Sequence, residues 1–187
     1  MNINDLFWNY DRNGNPIYYY DEKCTKLYSG HIEEYDRGWI CMEADVINGF
    51  VTGICKEYFF KSTQLELISY QEKNLHQGLV MEFFENGKVK FVTLEISNGP
   101  FEVYEFDENS KLIIKQIYPD PALYFLKQNG DDEIMKQLRQ KFNLEKISEE
   151  IQRDGEDFDY GKYFRTRNAE NADKNYVAVE NIVPFEF

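Results

Sequence analysis

A chain of 187 residues is long enough for one sizeable core, or for one domain with an appended subdomain. Its 34 acidic residues against 21 basic ones leave a net charge of −13, which disfavours nucleic acid and anionic membrane as partners, since both reward clustered Lys and Arg. The 14 Tyr, 15 Phe and 2 Trp, beside only five Ala, tilt the composition towards β structure and away from intrinsic disorder.

The first residues, MNINDLFWNY, carry neither a basic region nor an apolar run, so no secretory signal is expected. No stretch approaches the roughly 18 apolar residues of a transmembrane helix, and a cytoplasmic location is the expectation. Asp11, Asn13, Asn15 and Glu22 have the spacing of a calcium loop, but Pro16 stands where such a loop needs glycine. A hairpin turn accounts for the same residues. Cys24, Cys41 and Cys55 are spaced by 17 and 14, which suits neither a disulfide framework nor a zinc knuckle. They read as three reduced thiols in or beside a β core. His31 and His76 lie beside Gly30 and Gly78 and read as solvated turn histidines. With no nucleophile elbow and no phosphate loop, no catalytic residue, cofactor or metal is expected.

Between residues 17 and 118 the chain repeats. Glu82-Phe83-Phe84-Glu85-Asn86-Gly87-Lys88-Val89 aligns with Tyr104-Glu105-Phe106-Asp107-Glu108-Asn109-Ser110-Lys111-Leu112 at a period of 23 residues. A copy at Glu57–Leu65 precedes the first by 24, and another at Tyr18–Leu27 lies upstream behind a longer spacer. Each is an aromatic strand, a polar turn and a second apolar strand; a fixed period of this size marks stacked supersecondary units. Asn86-Gly87 favours a tight hairpin because both residues tolerate positive φ. Lys88–Ile96 alternates as a half-buried strand does. Gly30, Gly53, Gly78 and Gly99 recur where the chain turns back into the sheet. A lone hairpin is marginal in water, so the units must pair.

Tyr118-Pro119-Asp120-Pro121 opposes any continuing strand and divides the chain into a repeat sheet, 1–120, and a mixed extension, 121–187. A helix is expected after Gly130, capped by Asp131 or Asp132, with Ile134, Leu138 and Phe142 on one face. Asn143 caps a second short helix carrying Leu144, Ile147 and Ile151, which Asp154-Gly155 ends. The fold class is thus mainly β, of the α+β kind: successive antiparallel hairpins in an elongated sheet, with a C-terminal helical segment packed on it. Arg165–Asp173 reads as a polar loop and Tyr176–Val183 as one last strand.

Carboxylate pairs are abundant, as in any chain so acidic. The densest run is Asp154, Glu156, Asp157 and Asp159, interleaved with Phe158 and Tyr160. Charge for steering and rings for anchoring suit a surface that engages a basic protein.

Tyr28-Ser29-Gly30, Asn48-Gly49-Phe50-Val51-Thr52-Gly53, Gln77-Gly78 and Glu82–Val89 resemble the MORN-variant repeats of bacterial antitoxin-like proteins. The full Asn-Gly turn survives at Asn86-Gly87, while Ser62-Thr63 and Asn109-Ser110 replace it elsewhere. The resemblance covers about residues 17–118. It implies a sheet of hairpins that binds proteins without catalysis: an immunity protein or antitoxin that occludes the active site of a cognate basic toxin, such as a nuclease. A MORN-like scaffold with no toxin partner is the alternative, and a small hydrolase with an unrecognised site the third.

Overall fold

Four dipeptides, Arg37-Gly38, Asn48-Gly49, Lys73-Asn74 and Ser97-Asn98, place both of their residues at positive φ. Each reverses the chain in a two-residue turn whose twist matches that of the strands it joins. The computed structural model describes residues 1–118 and 131–164. Within them these turns connect β3 (Gly30–Asp36) to β4 (Trp39–Ile47), β4 to β5 (Phe50–Tyr58), β6 (Leu65–Glu72) to β7 (Leu75–Phe83), and β8 (Val89–Ile96) to β9 (Gly99–Phe106). The reversals from β7 to β8 and from β9 to β10 (Leu112–Ile117) are longer loops of one design, and that from β5 to β6 is one residue longer again, with Lys61 at φ 62°. At the β7–β8 loop the Phe84 N–H donates to the Lys88 carbonyl at 2.8 Å and the Gly87 N–H to the Phe84 carbonyl at 2.9 Å. Gly87 has φ 83°, but Asn86 is not at positive φ. The expected tight turn at Asn86-Gly87 is therefore a type I turn closed by a left-handed glycine.

The β9–β10 loop makes the same two bonds, Asp107 to Lys111 at 3.0 Å and Ser110 to Asp107 at 2.8 Å, with Ser110 in the glycine's place at φ 62°. Ser110 is only 2% exposed, and its Oγ has no hydrogen-bond partner among the described residues. Ser110→Gly removes a left-handed Cβ and an unsatisfied hydroxyl, which together outweigh the larger unfolded-state entropy of glycine. The variant should be more stable by about 1 kcal/mol, read as a higher urea midpoint at unchanged m. A lower midpoint would show that the hydroxyl is bonded or that its volume is needed.

The eight strands form one antiparallel meander in chain order, β3 to β10. Gly53 and Gly78, expected at turns, lie inside β5 and β7, and Gly30 and Gly99 begin β3 and β9. The register shifts in the pairings of β4 with β5 and of β6 with β7 show why an extended chain needs glycine there: the strands bulge. A separate two-stranded ladder pairs β1 (Phe7–Tyr10) with β2 (Pro16–Tyr19) across the Asp11–Asn15 turn, which Asp11 closes by accepting the Asn13 and Asn15 N–H groups at 2.8 Å. The Tyr18–Leu27 repeat copy closes with one bridge, Tyr19 to Leu27, and stays off the large sheet.

Strand alternation gives the sheet two faces, and each is covered at a different end. On one face Leu6, Tyr18 and Tyr28 pack on Ile32, Ala44, Val46, Val51 and Cys55. Burial of the Cys55 thiol, with the Glu57 and Glu43 carboxylates nearby, pushes its pKa up to about 12, so it stays a protonated apolar side chain. On the other face the helices α1 (Asp131–Lys141) and α2 (Leu144–Asp154) lie over the later strands. Leu138, Phe142, Leu144, Ile147 and Ile151 turn inwards as their spacing predicts, while Ile134 is only partly buried against the same core and Met135, which the spacing did not single out, is buried beside it. Asn143 Oδ1 accepts the Lys146 N–H at 3.1 Å as the cap of α2, and Gly155, at φ 58°, ends it. Whether Asp131 or Asp132 caps α1, the proline junction at 119–121, the loop at 165–173 and the strand at 176–183 lie outside the described residues. A one-turn helix α3 (Gly161–Phe164) follows, with the Tyr70 ring stacked on Phe164 at 5.2 Å. No helix among the described residues is long and apolar enough to cross a membrane.

Candidate functional site

Residues directly opposite one another in an antiparallel ladder share a face, on either side of the register shift that each pairing carries. Glu34 faces Met42, Met42 faces Glu57, and Glu57 faces Leu67. Leu67 faces Glu82, Glu82 faces Phe91, Phe91 faces Glu105, and Glu105 faces Ile114. One row thus crosses all eight strands, with a glutamate on each odd strand and an apolar residue on each even one. Each glutamate precedes an aromatic residue: Glu34-Tyr35, Glu57-Tyr58, Glu82-Phe83 and Glu105-Phe106. In the last three pairs the ring goes to the helix-covered face and the carboxylate to the other.

The row lies on the face that the helices leave uncovered. At the β3–β4 end it is bordered by the amino-terminal layer, on which Met42 packs. Leu67, Phe91 and Ile114 belong to neither packed core; Leu67 and Phe91 are half-buried, and Ile114 is 45% exposed. None of the four carboxylates has a hydrogen bond or ion pair among the described residues. Lys90 and His76 act on Glu82 electrostatically, and the Lys90 Nζ stands over the Phe91 ring at 5.2 Å. Beside the row, His76 Nδ1 and Glu95 Oε2 are 3.1 Å apart, and the Thr93 hydroxyl donates to Glu95 at 2.8 Å.

Half-burial acts on the protonation of two members of this row, Glu57 and Glu82. Burial, partly offset by His76 and reinforced by Glu66, Glu34 and Glu82, holds the Glu57 carboxyl above its ordinary value. Burial does the same at Glu82 despite Lys90. A carboxyl whose folded pKa is raised favours the fold in its protonated form, so stability rises as pH falls through that value. As pH falls through their raised values towards the ordinary carboxylate range, these two groups should add stability as they protonate, a gain that Glu57→Gln/Glu82→Gln removes. Below that window carboxylates held low by native bonds, such as Glu150 with Lys162 and Tyr163, lose theirs. Thermal melts of both proteins across the range test this; parallel curves would show that neither carboxyl is perturbed.

On the opposite face, beside α3, a cavity of about 570 Å³ has Ile54, Ile68 and Phe164 in its walls and a polar rim. On that rim His31 Nδ1 meets Asp45 Oδ1 at 2.9 Å, and Glu43 accepts from Lys56 and from the Tyr58 hydroxyl. Both histidines are therefore strand residues with carboxylate partners, not turn residues.

The acidic run at the end of α2 is divided by the fold. Glu156, Asp157 and Asp159 are exposed, and Asp154 accepts two bonds from Arg153 at 2.6 Å. Phe158 is 7% exposed and stacks on Tyr163, while the half-buried Tyr160 packs edge-on to Phe83 at 5.0 Å. The carboxylates face outwards and the rings serve the helix–sheet core. The sequence matches no protein-family model and no curated protein. Reasoning from sequence did not find the Glu/apolar row. Its signal was present as a glutamate followed by an aromatic ring at intervals of 23, 25 and 23 residues.

Proposed function

We propose that this chain is a non-enzymatic immunity protein, which neutralises a basic protein toxin by covering the toxin's active site. The observation that carries the reading is the Glu/apolar row that the helices leave uncovered: carboxylates without a hydrogen bond or ion pair among the described residues, interleaved with apolar side chains on one sheet. Such a surface suits a cationic protein, because carboxylates steer and orient the partner while the apolar residues supply contact area. The exposed carboxylates Glu156, Asp157 and Asp159, with Asp154, extend the acidic field at the helical end. A toxin that handles nucleic acid has a basic groove, and an acidic protein seated in it excludes the substrate by occupancy alone.

The test is co-expression in bacteria with the toxin domain encoded by the adjacent reading frame. Growth arrest that only this chain reverses, with a complex that co-purifies and weakens in high salt, supports the reading. Arrest that this chain leaves unchanged removes it.

A further inference from the structure

The period of the row constrains what can lie on it. Neighbouring strands are about 4.8 Å apart, so glutamates on alternate strands are about 10 Å apart with an apolar residue halfway. The part that no other described residues cover runs from Glu57 through Leu67, Glu82, Phe91 and Glu105 to Ile114. A partner crossing the strands along this line must offer cations every ~10 Å on one side, with apolar groups between them.

An extended strand cannot do so, because residues three apart, which span about 10 Å, point to opposite sides. Polyproline II returns to the same side every third residue at about 9 Å, but has nothing on that side halfway. An α-helix meets both conditions. Its rise of about 1.5 Å per residue puts every seventh residue ~10.5 Å further along one face, with residues i+3 and i+4 of that face between. We propose that the Glu57–Ile114 row is a docking surface for a basic amphipathic helix of a protein partner, lying across the strands. Lys or Arg at i, i+7 and i+14 meets Glu57, Glu82 and Glu105, and apolar residues at i+3 or i+4 of each turn pair meet Leu67, Phe91 and Ile114. The sequence repeat is then the ruler of the interface, since each hairpin adds one carboxylate and one apolar contact. This deepens the protein-binding part of the proposed function and is independent of whether the partner is a toxin.

The probe is a fluorescein-labelled helical peptide of about 22 residues with Lys at every seventh position, Leu at the fourth residue after each Lys, and Ala and Gln elsewhere. A peptide of the same composition with the Lys and Leu positions scrambled is the comparison. Anisotropy titration should give binding of the periodic peptide about ten-fold or more tighter than of the scrambled one. Glu57→Gln/Glu82→Gln/Glu105→Gln should abolish that preference. Glu85→Gln/Glu108→Gln/Glu149→Gln, which removes the same charge from exposed positions off the row, should keep it. Circular dichroism melts confirm that both triple variants are folded. Equal affinity for the two peptides, or equal loss in the two triple variants, overturns the proposal. The assay contains no toxin, so peptide binding without growth rescue retains the docking surface and removes the immunity reading. Growth rescue with no peptide preference does the reverse.

Discussion

Ile151→Ala is expected to destabilise the protein by about 3–4 kcal/mol, among the largest effects available to a single substitution here. Ile151 is fully buried in α2, in the cluster that also holds Leu79, Leu94, Phe101, Tyr104 and Phe106 of the sheet. Truncating it removes three carbons from a site closed on both sides by rigid elements, so the transfer loss and most of the cavity cost both apply. For a chain of this size the melting temperature should fall by roughly 10 °C. Hydrogen exchange should locate the loss in β6–β10 and the helices. A ΔΔG below about 1 kcal/mol in urea would show that α2 is not part of the sheet's cooperative unit. The Arg139–Glu102 ion pair ties the same layers together: Nε and Oε2 are 2.9 Å apart, and Glu102 is only 6% exposed.

Gly49→Ala should cost about 2–4 kcal/mol and act at the other end of the molecule. Gly49 has φ 86°, where a Cβ is strained, and its hydrogen bonds seat the amino-terminal layer on the sheet. Its N–H donates to the Tyr28 carbonyl at 2.7 Å, and its carbonyl accepts from Tyr18 N–H at 2.9 Å. A Cβ here would stand 2.7 Å from Leu27 Cδ2, 2.8 Å from Ile17 Cγ2 and 3.2 Å from the Tyr18 carbonyl oxygen. The side chains can move; the carbonyl can do so only by shifting the hairpin. Exchange protection should drop in β1–β5 and persist in β6–β10. Uniform loss would mean that the two cores unfold as one, and a cost below about 0.5 kcal/mol would mean that the turn relaxes freely.

These two substitutions separate what is local from what is not. The helices were legible because their signals are local: Asn143 caps, Gly155 terminates, and Leu144, Ile147 and Ile151 fall on one stripe whatever they pack against. The repeated loops were legible for the same reason. A left-handed position tolerates few residues, so Gly87 and its stand-in Ser110 recur at a fixed distance from an aromatic strand. The hairpin at Arg37-Gly38 escaped the repeat alignment because it is a two-residue turn, without the longer loop that the other copies share. The cluster at Asp154–Tyr160 shows the converse. Sequence interleaves acids and rings there, but a short helical segment on a core sends Phe158 inwards and Glu156, Asp157 and Asp159 outwards.

The sequence by itself determined the mainly β class, the hairpin period, both helices of the extension and the acidic character. Each rests on composition or on a spacing of a few residues, which chain geometry translates directly into local structure. Only the tertiary structure decided which face of the sheet the helices cover, which the amino-terminal layer covers, and so which glutamates have no partner among the described residues. Strand alternation divides residues between two faces but does not label them; the label comes from what packs there. Register did the rest, because residues about 23 apart in sequence become a single row only in the particular pairing, bulges included, that sets them opposite one another.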